Sequence, residues 1–168
     1  SFLAKKEVKE MPFVGKMFAS SDGFFLDRKD LKQELRVMMK VQEKLSNNVC
    51  NVYIFPEGTR NRDNLRHTLE FHKGTFRSAM KAGVPICPVV NYGGFRILSL
   101  KQNHSRYPVI IKFLKPIYPE EYNGKSTEEI CSIVQSMIQK ELTFNVRKMD
   151  HEIMYKSGDK NYRFNRIY

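Results

Sequence analysis

Short apolar runs alternate along the chain with stretches whose apolar positions recur every three to four residues, the pattern of strands alternating with helices. Phe2-Leu3-Ala4 and Phe24-Phe25-Leu26 read as strands around a helix seeded at Pro12, because a first-turn proline gives up no intrahelical hydrogen bond. Asp30 reads as the N-cap of the next helix, with Gln33 in the capping-box position and Leu31, Leu35, Met38 and Leu45 on one face. Asn47-Asn48 ends that helix, and Val52-Tyr53-Ile54-Phe55 is the clearest strand, stopped by Pro56. Residues 73–82 predict a helix closed by Gly83, and residues 84–91 and 109–114 predict further strands. Ser126-Thr127-Glu128-Glu129 is a capping box opening a helix whose Ile130, Ile133, Val134, Met137, Ile138 and Leu142 form a core-facing stripe. The expected fold is α/β: a single domain over residues 1–145 with a mixed, mostly parallel sheet flanked by helices. From Val146 the periodicity fades, and residues 146–168 read as a polar C-terminal extension.

Composition narrows this picture. With 41% hydrophobic and 28% charged residues the chain is apolar enough to fold, and its 168 residues suit one domain. The longest uncharged run, residues 82–95, contains two prolines and three glycines, so no bilayer span is expected. The chain begins with Ser inside a strand-like run and is read as a fragment. Cys50, Cys87 and Cys131 form no Cys-x-x-Cys pair, which points to a reduced, cytosolic compartment. His67 and His72 are five apart and on a helix would face apart, so no metal site is expected. The net charge is +11, and between positions 60 and 115 eleven Lys/Arg face only Asp63 and Glu70. That local excess fits either a polyanionic or phosphorylated partner or a solvated basic face.

Three segments place charged or geometrically special residues at the ends of predicted strands, where α/β domains collect ligands. They are Gly23-Phe24-Phe25-Leu26-Asp27-Arg28, Phe55-Pro56-Glu57-Gly58-Thr59-Arg60 and Val84-Pro85-Ile86-Cys87-Pro88-Val89-Val90. Arg28 and Arg60 suit a phosphate, since a guanidinium donates two parallel hydrogen bonds to paired anionic oxygens. Gly58 permits close backbone approach, Pro56 fixes the turn that aims Glu57, and Lys73 adds a charge at a helix start. The same residues also fit a structural reading, with Arg28 paired to Asp27 or Asp30, Glu57 accepting turn hydrogen bonds and Arg60 and Arg62 solvated. The residue chemistry leaves both open.

These three segments resemble, in order and spacing, the second, third and fourth sequence blocks of the glycerophospholipid acyltransferase family, PlsC type, and of its lysophosphatidic acid acyltransferases in particular. Phe71-His72-Lys73-Gly74-Thr75-Phe76-Arg77-Ser78-Ala79 resembles the segment after the third block, and Ala4-Lys5-Lys6-Glu7 with Pro12-Phe13-Val14-Gly15 resembles the link between the first and second. The resemblance implies a glycerol-3-phosphate acyltransferase-like fold and transfer of a fatty acyl group from acyl-CoA or acyl-ACP, as cosubstrate, to lysophosphatidic acid or a related lysolipid. Phosphatidic acid would be the product, and no bound cofactor is implied.

In that family the first block supplies a His with an Asp five positions later, the His taking the hydroxyl proton and the Asp orienting its ring. Five positions after His67, His72, His104 and His151 stand His72, Arg77, Val109 and Lys156. The resemblance therefore puts the catalytic pair ahead of Ser1, names no catalytic residue in this chain, and implies that these residues alone are inactive. Carried over residue by residue, Arg28 binds the acceptor phosphate, Glu57, Gly58 and Arg60 form the acceptor site, and Thr59 and Lys73 belong to the same pocket. Val84, Pro85, Ile86 and Pro88 shape a channel wall, while Cys87 reads as a small core residue because no base accompanies it. Work on a membrane-borne lipid implies the cytoplasmic face of the cell membrane, with the basic stretch and the Met11, Phe13, Val14, Met17, Phe18 segment as anionic-surface contacts. Two rival readings are a non-catalytic acyltransferase-like lipid-binding module and a basic nucleic-acid-binding domain. The second lacks Trp and any recognised motif, so no nucleic acid is expected.

Overall fold

A computed structural model describes residues 1–27, 29–61, 67–94 and 109–157. The chain packs as two compact units that each draw on three segments: Ser1–Thr59, Glu70–Ile86 and Pro116–Ser132 in the first, and Arg60–Leu69, Cys87–Lys115 and Ile133–Tyr168 in the second.

The first unit is organised by β1 (Leu3–Lys5) and β2 (Phe24–Leu26), paired in parallel with Leu3 opposite Phe24 and Lys5 opposite Leu26. Tyr53 adds a parallel bridge to Phe2 on the other side of β1, where Leu3 N–H donates to Tyr53 O at 3.0 Å and Tyr53 N–H to Ser1 O at 2.9 Å. The strand expected over residues 52–55 is thus one bridge long. Its neighbour β1 turns into a 3-10 helix (Lys6–Glu10) after three residues, so little ladder remains to pair with.

Helix α1 (Val14–Ser20) starts two residues after Pro12, because Phe13 takes a left-handed φ of 60° that no helix can include. Helix α2 (Leu31–Ser46) is capped as expected, Asp30 Oδ1 accepting from Gln33 N–H at 3.0 Å. Its buried face differs from the one expected. Val41 is fully buried and Val37, Met38 and Leu45 are half-buried, while Leu31 and Leu35 are 69% and 54% exposed. At about 100° per residue, Leu35 points about 120° away from Val41 and so misses the core side.

Helix α2 packs on α3 (Arg77–Ala82), which follows a 3-10 turn (Lys73–Phe76) and ends at Gly83 with φ 66°, the left-handed cap the sequence predicted. The buried Ser78 hydroxyl donates to Met38 O at 3.1 Å. Ile86 pairs antiparallel with Ile117, and Tyr122, at the end of α4 (Pro119–Tyr122), donates its phenol to Val84 O at 2.9 Å. Phe24, Val41, Phe71, Phe76 and Ile130 are among the buried side chains of this unit. Removing each from water is worth about 1.5–3 kcal/mol.

In the second unit β3 (Val89–Tyr92) and β4 (Ile110–Phe113) pair antiparallel, Val89 opposite Phe113 and Tyr92 opposite Ile110. The strand expected over residues 84–91 breaks between the Ile86 bridge and β3, where Pro88 has no N–H to donate. The capping box at Ser126 forms in both directions, Ser126 N–H to Glu129 Oε2 at 2.7 Å and Glu129 N–H to Ser126 Oγ at 3.2 Å. It opens α5 (Thr127–Ser157). Of the expected stripe, Ile130 in the first unit and Val134, Ile138 and Leu142 in the second are buried, while Ile133 is exposed. The helix continues through residues 146–157 of the polar C-terminal extension.

Candidate acceptor site

Two of the candidate segments leave the strands of the first unit at the same edge. Strand β1 runs between β2 and the Tyr53 bridge, and all three segments are parallel. The carboxyl ends of the chain at Leu26 and Tyr53 therefore open on the same side, the side on which α/β domains bind ligands. The described residues 23–27 leave from the first and residues 55–59 from the second.

After β2, Asp27 is fully engaged. Its Oδ1 accepts from Lys29 N–H at 3.0 Å, its Oδ2 lies 3.4 Å from Lys6 Nζ, and its own N–H donates to Gln33 Oε1 at 2.9 Å. The Lys29 amide above all holds the Asp27 carboxyl below its ordinary range; desolvation opposes it, and Lys6 adds to the lowering. Asp27 thus meets Lys6 and the Lys29 amide, and Asp30 caps α2. Arg28 itself lies outside the described residues.

After Tyr53 the chain makes a tight turn, with Gly58 N–H donating to Phe55 O at 3.0 Å and Gly58 at φ 63°. A side chain at that φ is strained, which accounts for glycine there. Glu57 is half-buried, with Oε2 shielded from solvent. Pro56 O accepts from His72 N–H at 2.9 Å, so the turn is stitched to the residue preceding Lys73. This tertiary bond joins the residues on either side of the long sequence gap between Pro56 and His72. Lys73 and Thr59 are exposed; Arg60 is exposed and belongs to the second unit.

The predicted channel wall divides between the units: Val84, Pro85 and Ile86 fall in the first and Pro88 in the second. Ile86 and Pro88 are buried, Pro85 exposed. Cys87 is exposed, not a core residue, because the turn between the Ile86 bridge and β3 points it outward. Its thiol donates to Leu114 O at 3.5 Å, and partial burial of the sulfur pushes its pKa up, away from a thiolate nucleophile. A surface depression of about 470 Å³ in the first unit is lined by Met80, Gly83, Pro119, Tyr122 and Lys125 and includes no candidate residue.

Sequence reasoning missed two features of this edge. One is the Lys6–Asp27 pair, which depends on the parallel register of β1 and β2. The other is the side chain of Gln33, which was assigned to a reciprocal capping box and instead reaches back to the strand, Nε2 donating to Phe25 O at 2.9 Å. A glutamine at that spacing suits either role, and only the packing of α2 on β2 chooses.

A family model described as Acyltransferase matches residues 1–92, which contain all three segments. The chain belongs to the acyltransferase family. It is similar to the 1-acyl-sn-glycerol-3-phosphate acyltransferase of Saccharomyces cerevisiae, with 32% identity over 136 residues that cover 80% of this chain and 45% of the yeast protein. The enzyme of the same name from Haemophilus influenzae is 28% identical over 151 residues, covering 90% of this chain and 60% of the other. The crystal structure of the 1-acyl-sn-glycerophosphate (LPA) acyltransferase PlsC from Thermotoga maritima matches with a TM-score of 0.64 at 28% identity, covering 84% of this chain and 55% of that one. This acyltransferase-family chain spans about half the length of the curated relatives it matches. Among its described residues no helix is long and apolar enough to cross a membrane.

Proposed function

We propose that this chain forms the acceptor-binding part of a 1-acyl-sn-glycerol-3-phosphate acyltransferase. In that reaction the free hydroxyl oxygen of lysophosphatidic acid attacks the carbonyl carbon of an acyl thioester on coenzyme A or acyl carrier protein. The C–O ester bond forms, the C–S bond breaks, and phosphatidic acid and the carrier thiol leave. The observation that carries the reading is the parallel arrangement about β1, which opens residues 23–27 and 55–59 on one edge. Arg28 grips the acceptor phosphate, Glu57, Gly58, Thr59, Arg60 and Lys73 complete the acceptor site, and Val84, Pro85, Ile86 and Pro88 contribute to a channel wall. In the family the hydroxyl proton is taken by a His-x-x-x-x-Asp pair.

Arg28→Ala is expected to raise the Kd of the chain for lysophosphatidate about 10–100-fold, the range for losing charge-assisted hydrogen bonds, and to leave acyl-CoA binding unchanged. Equal losses for both ligands, measured by calorimetric titration, would remove Arg28 as the phosphate anchor.

The domain works on the anionic surface of a membrane. Phe13 is 87% exposed and Met11 and Met17 are exposed beside it; along α2, Leu31, Leu35 and Met39 run next to the exposed Lys32, Arg36 and Lys40. Apolar rows bordered by basic ones suit anionic lipid, which attracts each nearby Lys or Arg by about 1 kcal/mol. Phe13→Ser is expected to weaken co-sedimentation with phosphatidylglycerol vesicles about tenfold. Unchanged binding by this variant would turn the segment into ordinary protein surface.

A further inference from the structure

We infer that Gln33 is a positioning residue for the acceptor site, acting as a one-residue substitute for a missing strand along the open edge of β2. The argument starts from the register. Leu3 lies opposite Phe24, and Phe24 N–H donates to Phe2 O at 2.8 Å, so the peptide groups of Phe24 point toward β1. Successive residues of a strand direct their N–H and C=O to alternate sides. Phe25 and Asp27 therefore present their groups on the far side of β2, where no strand follows among the described residues.

Gln33 fills that place. Its Nε2 donates to Phe25 O at 2.9 Å and its Oε1 accepts from Asp27 N–H at 2.9 Å. These are the two bonds that a residue of a neighbouring parallel strand would make, and a primary amide carries the required donor and acceptor together. The amide orientation is determined by its partners, since a carbonyl can only accept and a peptide N–H only donate. The clamp is itself held from behind, because Gln33 N–H is tied to the N-cap carboxylate of Asp30 at 3.0 Å. Helix α2 thereby fixes the direction in which the chain leaves β2 at Asp27. Without the clamp two polar backbone groups at the strand end lose their partners.

The inference rests on the acceptor-site reading, and its test separates the two. Lysophosphatidate and acyl-CoA binding to the full chain are compared for the wild type, Gln33→Met, Gln33→Glu and Arg28→Ala. Gln33→Met keeps the side-chain length and loses both hydrogen bonds; it is expected to raise the Kd for lysophosphatidate about tenfold, leave that for acyl-CoA unchanged and speed exchange of the Asp27 amide hydrogen. Gln33→Glu provides a readout that bulk destabilisation does not. Its ionised carboxylate repels Phe25 O, whereas the protonated acid again offers one donor and one acceptor. The ratio of its Kd to the wild-type Kd is therefore expected to fall toward one as the pH drops through the pKa of the introduced carboxyl, while the ratio for Gln33→Met stays flat. Unchanged lysophosphatidate binding by Gln33→Met, equal weakening of both ligands, or a flat ratio for Gln33→Glu would each overturn the inference. If Arg28→Ala binds normally while the Gln33 variants behave as expected, the Arg28 assignment falls and the role of Gln33 at this edge stands.

Discussion

Supplied with lysophosphatidate and acyl-CoA, the 168-residue chain is expected to turn over more slowly, by about 10²–10⁴-fold, than a family chain that also carries a His-x-x-x-x-Asp pair. An alcohol is a poor nucleophile until a base within hydrogen-bond reach takes its proton. None of the four histidines of this chain has Asp five positions later, and the shifted groups among the described residues are poised the wrong way. Asp27 and Glu129 are held low by backbone amides, Lys29 N–H and Ser126 N–H, which makes them weaker bases. Burial pushes the Tyr53 phenol and the Cys87 thiol up, so both stay protonated at neutral pH. Release of free thiol from acyl-CoA, followed with and without acceptor, measures the difference. Turnover by this chain within tenfold of a complete family enzyme would sink the assignment of the base to a separate His-x-x-x-x-Asp segment. A longer chain that carries the pair and still fails to transfer, while binding lysophosphatidate, would instead support the non-catalytic lipid-binding module.

Gly15→Ala is expected to cost at least about 3 kcal/mol of stability, at or above the usual range for overpacking. A Cβ at Gly15 would sit 2.2 Å from Lys9 O, 2.8 Å from Lys9 C and 3.0 Å from Val8 O. Those atoms are backbone of the 3-10 helix against which α1 packs, so no side-chain rotation relieves the overlap. Relief requires α1 to move, and α1 carries the next segment with it, because Gly23 N–H is bonded to Phe18 O at 2.9 Å just before β2. Gly74→Ala is the matching control. Nothing lies within 4 Å of a Cβ there, and the change is expected to stay within about 0.5 kcal/mol. Urea denaturation of both variants makes the comparison, and equal midpoints would mean that α1 does not rest on the 3-10 turn.

Gly15 shows how the two levels of information divide. The Pro12-Phe13-Val14-Gly15 segment supports a family resemblance, but the reason for its glycine appears only when Lys9 O is found against it. The same division holds along α2. Asp30 as N-cap follows from its local chemistry, whereas the choice of Val41 over Leu31 and Leu35 for the buried face depends on where β2 and α3 lie.

By itself the sequence determined the α/β class, most element boundaries, the caps at Asp30, Gly83 and Ser126, and membership of the acyltransferase family. These depend on interactions within a few residues, or on motif order, and both are written along the chain. Tertiary structure alone decided that the segments 23–27 and 55–59 open on one edge, that Pro56 O is tied to His72 N–H, and that Gln33 closes β2. It also exposed Cys87 and carried α5 to Ser157. The physical reason is common to all of them: strand register and helix facing are settled by partners distant in sequence, and a local pattern compatible with two partners does not choose between them.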